Sequence, residues 1–134
     1  MKDVLIKQPE LEGKQVRIYF NLACKYMQER NYKPALLLFE RVLKTEPLLS
    51  EANYYRGWVF YLQEHYQEAI DEFTLRLIKQ PDCANAMYFR GLCYEQLNED
   101  FEALCDYTCA LGEDHRFVSA YFARGQLRAA LSGF

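Results

Sequence analysis

Apolar residues recur along the chain at three- and four-residue steps, the spacing of one face of a helix. Leu22 and Tyr26 begin the pattern, and Ala35, Leu38, Phe39, Val42 and Leu43 continue it. The whole arrangement then returns at a fixed interval of 34 residues. Gly57, Gly91 and Gly125 keep that step, as do Ala35, Ala69 and Ala103, then Ala52, Ala86 and Ala120, and Arg56, Arg90 and Arg124. Aromatic positions follow it too: Tyr26, Phe60 and Tyr94, and Phe39, Phe73 and Tyr107. So many columns in one register are not coincidence, and they predict helices near 16–29, 33–46, 50–63, 67–80, 84–97, 101–112 and 118–131.

The punctuation agrees. Pro47 and Pro81 stand 34 apart and close the second helix of their repeats, because proline disfavours helical geometry in the residue before it. Pro34 falls within a first turn, where a missing N–H is tolerated. The small residues Ala23, Gly57, Gly91 and Gly125 allow the second helix of a pair to approach the first closely, and Ala35, Ala69 and Ala103 do the same from the other side.

A 34-residue period with glycine, aromatic, alanine, aromatic and proline in that order resembles the tetratricopeptide repeat. The repeats span Val16–Leu49, Ser50–Cys83 and Ala84–Phe117, and 118–134 restarts the pattern as a capping helix or a truncated fourth repeat. The resemblance implies an all-α solenoid of antiparallel helix pairs, A and B, wound into a right-handed superhelix with a concave groove. One repeat cannot bury its own apolar face, whereas stacked neighbours can. Residues 1–15 fall outside the pattern. Val4, Leu5, Ile6 and Leu11 flank Pro9 there, and are expected to form a flap over repeat one or, alternatively, an arm that binds in the groove or to a partner.

Several positions depart from the family pattern. Column seven, usually leucine, holds Leu22 and then Arg56, Arg90 and Arg124. A cation near a core needs a partner. Column twenty-three holds Leu38, Glu72 and Asp106, so leucine accompanies leucine and arginine accompanies acid. This predicts the structural ion pairs Arg56–Glu72 and Arg90–Asp106. Repeat three brings its turn aromatic, Phe101, one residue late. In repeat two, Arg76 replaces a small packed residue, and Leu75 and Ile78 take positions that usually face solvent. A rotated helix or a convex partner patch of Leu75, Arg76 and Ile78, including a homodimer contact, would follow.

Composition narrows the function classes. Apolar residues make up 51% and aromatics 16%, too rich for a disordered chain. With 6 Gly and 4 Pro, breakers are scarce. A net charge of −3 lacks the basic footprint of a nucleic-acid binder, so no nucleic-acid partner is expected. No apolar run is long enough to span a membrane. The odd set Cys24, Cys83, Cys93, Cys105 and Cys109, with no signal peptide, suits a reducing compartment and a cytoplasmic location. Neither His65 nor His115 has ligand spacing to a cysteine, so no metal or other cofactor is expected. No nucleophile–base spacing and no glycine-rich phosphate loop occurs, and the chain is not expected to be an enzyme.

The resemblance implies a protein-interaction scaffold or adaptor whose groove reads a peptide through A-helix positions. One subfamily grips an acidic chaperone tail with a lysine- and asparagine-based carboxylate clamp. Here those positions hold Phe20, Cys24, Tyr55, Asn85 and Phe89, or, one repeat on, Tyr54, Trp58, Phe89, Ser119 and Ala123, so no clamp is expected. The same face is instead rich in Phe20, Cys24, Met27, Tyr54, Trp58, Tyr61, Tyr88, Leu92 and Phe122. Trp58 shares a helix face with Tyr54 and Tyr61. An apolar peptide or amphipathic helix, held by burial rather than charge, is the expected partner. The alternative is a terminal segment of a larger assembly subunit, its groove filled in cis or by self-association.

Overall fold

The computed structural model describes residues 13–133. Among these the chain is all-α, with helices α1 (Gly13–Gln28), α2 (Tyr32–Thr45), α3 (Ser50–Leu62), α4 (Tyr66–Lys79), α5 (Ala84–Gln96), α6 (Asp100–Glu113) and α7 (Val118–Leu131). The proposed flap of residues 1–15 lies mostly outside the described residues. Its last three residues, 13–15, belong to α1, which starts earlier than the repeat register predicts.

The chain divides into two compact units, up to Pro47 and from Leu48 onward. In the first, α1 packs on α2. Phe20 meets Phe39 edge-on at 5.8 Å between ring centres, and Val16, Ala23, Ala35 and Val42 complete the buried set. In the second, each helix from α3 to α7 packs on the next. Ala69, Ile70, Phe73, Ala86 and Cys93 form one buried cluster, and Ala103 and Tyr107 with Ala123 and Leu127 form another.

Glycine sets the closest approaches. A Cβ at Gly57 would come within 2.8 Å of the Phe73 ring, and one at Gly91 within 2.7 Å of Tyr107. The phenyl and phenol rings therefore lie directly on backbone. The turn between helices repeats as strictly. Arg30, Glu64 and Asn98 adopt left-handed φ values of 61°, 63° and 60°. Each is followed by an N–H that bonds five residues back, to Tyr26, Phe60 and Tyr94 respectively, at 2.8–2.9 Å. This closure satisfies carbonyls left open at the helix end.

Helix α4 is not rotated. It buries Ala69 and Phe73, the same columns as Ala103 and Tyr107 in α6. The late aromatic of repeat three does change the packing: Tyr66 meets Tyr61 at 6.1 Å, whereas Phe101 is 75% exposed.

Candidate functional site

Two arginines cross from an A helix to its B helix. Arg56 Nη2 donates to Glu72 at 2.8 Å. Arg90 binds Asp106 through two parallel bonds, Nε to one oxygen at 2.8 Å and Nη2 to the other at 2.7 Å. Its remaining Nη1 donates to Thr74 Oγ1 on the preceding B helix at 3.2 Å. The hydrogen bond to Asp106 holds the Arg90 guanidinium above its ordinary value. Burial pushes the Asp106 carboxyl upward, against the pull of Arg90. Repeat two adds a polar network that periodicity does not reveal. Buried Asn53 donates to Glu72 at 3.2 Å and accepts from Lys79 Nζ at 2.6 Å. Burial lowers the Lys79 ammonium below its ordinary value.

Arg76 does not stand on a convex patch. It turns inward, donates to Ser50 Oγ at 2.6 Å and lies 5.7 Å from the Tyr54 ring centre. A long side chain in place of a small one is accommodated by reaching along the helix pair to a hydroxyl. Leu75 and Ile78 remain exposed, Ile78 the more so.

The expected groove residues fall into three settings. In the first unit, Phe20 lies in the core rather than on a free surface, because its ring fills the space against Phe39. Cys24 and Met27 are half-buried there. In repeat two, Tyr54, Trp58 and Tyr61 are also half-buried; Trp58 and Tyr61 pack on Phe89 of the next A helix, and Tyr54 packs on Phe73 of α4. The Trp58 ring meets Phe89 at 4.9 Å, and its Nε1 donates to the Tyr54 hydroxyl at 3.3 Å. Tyr61 meets Phe89 at 5.9 Å. Burial raises the Tyr54 and Tyr61 hydroxyls above their ordinary values. Much of this aromatic surface therefore joins A helix to A helix.

The third setting is open. Between α5 and α7 lies a pocket of about 430 Å³ lined by Tyr88, Leu92, Glu95, Val118, Ser119, Phe122, Ala123 and Gln126. Phe122 is 65% exposed and Val118 77%. Tyr88 is braced from behind by Phe117 at 5.0 Å and Phe89 at 5.1 Å. Glu95 was not singled out from sequence. Its carboxylate accepts from the Tyr107 hydroxyl at 2.7 Å, so a fixed carboxylate stands in a wall whose other residues are apolar or neutral polar. Its place opposite a buried tyrosine hydroxyl depends on packing between helices, which spacing alone does not disclose.

Among the described residues, no group of three or more histidine, cysteine or acidic side chains could hold a metal ion. Cys105 and Cys109 are exposed, whereas burial pushes the Cys93 thiol up to about 12. No described helix is long and apolar enough to cross a membrane.

A family model described as anaphase-promoting complex, cyclosome, subunit 3 matches residues 28–106, more than half of the chain. The chain belongs to this family. No curated protein matches it in sequence. Solved structures share its fold. The first tetratricopeptide domain of Spaghetti (RPAP3), bound to the HSP90 peptide SRMEEVD, aligns with a TM-score of 0.86 at 16% identity, over 93% of this chain and 99% of that one. The OM64 tetratricopeptide domain of Arabidopsis gives 0.83 at 18% identity, over 87% and 97%. MamA gives 0.82 at 23% identity, over 87% and 68%. The fold is therefore the tetratricopeptide repeat, an all-α solenoid.

Proposed function

We propose that this chain is a non-catalytic scaffold or adaptor of the cytoplasm that binds an apolar or amphipathic segment of another protein against α5 and α7. The observation that carries this reading is the pocket in which Tyr88, Leu92 and Phe122 surround the fixed carboxylate of Glu95. Apolar rings supply burial, and one oriented charge supplies direction, the usual division of labour in a binding cleft. The anion favours a segment with a lysine, arginine or free N–H beside its apolar anchor. It opposes an acidic tail, and the positions of the carboxylate clamp hold Phe20, Cys24, Tyr55, Asn85 and Phe89. Phe20, buried against Phe39, takes no part in binding. Trp58 and Tyr61 serve chiefly to hold α3 to α5, and Tyr54 to hold α3 to α4.

The experiment is selection of displayed peptides on the purified chain, with the chaperone peptide SRMEEVD as a control. The expected result is enrichment of aromatic or aliphatic residues beside a basic one, lost with Phe122→Ala or Glu95→Gln. SRMEEVD should show no saturable binding at up to about 100 µM, or about −5.5 kcal/mol. Low-micromolar binding of SRMEEVD, or peptides indifferent to both substitutions, would overturn the reading. Membership in a family named for a subunit of a larger complex favours one second reading: the chain acts as part of an assembly subunit, with this pocket filled from within the assembly.

A further inference from the structure

The column that carries arginine followed by glycine is a socket, and two of its three copies are full. At Arg56-Gly57 the socket holds Glu72 on the guanidinium at 2.8 Å and the Phe73 ring on the glycine. At Arg90-Gly91 it holds Asp106 at 2.7 Å and the Tyr107 ring. Both occupants come from one helix as Ala-x-x-acid-aromatic: Ala69, Glu72 and Phe73 in α4, Ala103, Asp106 and Tyr107 in α6.

The third copy, Arg124-Gly125 on α7, is empty. Nothing lies within 4 Å of a Cβ built at Gly125. Arg124 reaches the Thr108 hydroxyl at 3.4 Å and lies 5.5 Å from the Tyr121 ring centre, and no carboxylate of the described residues pairs with it. Thr108 stands to Arg124 as Thr74 stands to Arg90, so the inner half of the socket is built, and its outer half is open among the described residues. Tyr121, Gly125 and Arg128 continue the same open face along the helix, and Tyr121 is 48% exposed. Ala120, Ala123 and Leu127, by contrast, are buried. Two arginines and no acid occupy α7.

We propose that this face of α7 is a second docking surface, separate from the α5–α7 pocket, for an acidic amphipathic helix of a partner protein that carries small-x-x-Asp/Glu-Phe/Tyr. The aromatic ring seats on the bare backbone of Gly125. The preceding carboxylate pairs with Arg124, and a further acid one turn away meets Arg128. Charge complementarity selects the occupant, since a neutral apolar helix would cover Arg124 and leave it without a counter-ion.

The α4 sequence, residues 66–79, is a ready probe because it already fills an equivalent socket. It is synthesised with a fluorescein label and a side-chain staple between positions 67 and 71, both exposed in the fold. The expected result is saturable binding to the full chain. Peptide Phe73→Ala or Glu72→Ala weakens it tenfold or more. Gly125→Leu in the chain abolishes it while helical circular dichroism is kept, because the space beside Gly125 is open. Arg124→Glu in the chain removes binding, and a Glu72→Lys peptide restores it to that variant. Equal binding by a scrambled peptide, or binding unchanged by Gly125→Leu, would overturn the proposal. So would a dimer in sedimentation that Gly125→Leu dissociates, since a second copy would then own the face.

Discussion

The Tyr107 ring lies so close to Gly91 that a Cβ there would stand 2.7 Å from it, inside any ordinary contact distance. Tyr107 is fully buried and cannot swing aside, and its hydroxyl is tied to Glu95. Gly91→Ala should therefore destabilise the fold by about 2 kcal/mol, the scale of overpacking in a tight core. At Gly125 the same substitution meets open space. Gly125→Ala should stabilise by about 0.5–1 kcal/mol through helix propensity alone. Urea unfolding of the two variants checks the contrast, and equal effects would show that the Gly57/Gly91/Gly125 column is not a packing column.

Removal of Arg90 leaves a carboxylate that burial already disfavours. Arg90→Ala should cost about 3 kcal/mol at neutral pH, in the range for one partner of a buried pair. The pH dependence has a definite sign. A carboxyl whose folded value is raised contributes stability below its unfolded value, and that stability is lost as pH rises through the folded value. The deficit of Arg90→Ala should thus shrink as pH falls toward about 4. Repeat one carries Leu22 and Leu38 in the same two columns. The double variant Arg90→Leu/Asp106→Leu should therefore recover most of the loss, as measured by thermal unfolding at several pH values.

Periodicity made the fold legible because each repeat solves the same packing problem with the same residue types. Glycine under an aromatic ring and arginine beside an acid are both visible as columns. The turns were less legible: Arg30, Glu64 and Asn98 share a left-handed conformation that only one of them advertises by residue type. The setting of Trp58 is not legible in the sequence for a physical reason. A helix face that points toward a groove also points toward the neighbouring A helix, and a spacing rule cannot tell which neighbour arrives. Phe89 arrived. The same holds for Arg76, because a long side chain can lie along the helix pair and reach Ser50. Glu95 is not visible from spacing because its partner, Tyr107, stands on another helix.

Alkaline pH should weaken the chain through its buried acids. The folded Cys93 thiol is raised to about 12, and burial also raises Tyr107. Groups with raised folded values contribute stability that is present below their unfolded values and is lost as pH climbs toward the folded ones. Stability should fall above about pH 9, and Cys93→Ala should flatten part of that slope at the expense of a small cavity. Thiol labelling gives a second check. Cys105 and Cys109, both exposed, should react in the native state, while Cys93 should react only after unfolding. Native reactivity of Cys93 equal to that of Cys105 would contradict its placement.

The two aromatic settings on the A helices should separate in a pair of single substitutions. Trp58 is held by Phe89 at 4.9 Å and by a hydrogen bond to Tyr54, so its loss removes contacts between α3 and α5. Trp58→Ala should cost about 2 kcal/mol of stability, below the roughly 3–5 kcal/mol of a fully buried ring because the indole is only half-buried. Phe122 is 65% exposed. Phe122→Ala should change stability by less than about 0.5 kcal/mol. Its effect should instead fall on selected peptides, with affinity reduced at least tenfold, the scale of a truncated anchor. Binding should weaken only modestly between low and moderate salt, because half-buried Glu95 offers a single ion pair to screen and apolar burial supplies the rest. Denaturation curves and peptide titrations on the same two proteins test both halves. If Trp58→Ala leaves stability intact and abolishes binding while Phe122→Ala does neither, the binding surface is the repeat-two aromatic face, and the α5–α7 pocket is only a gap between helices.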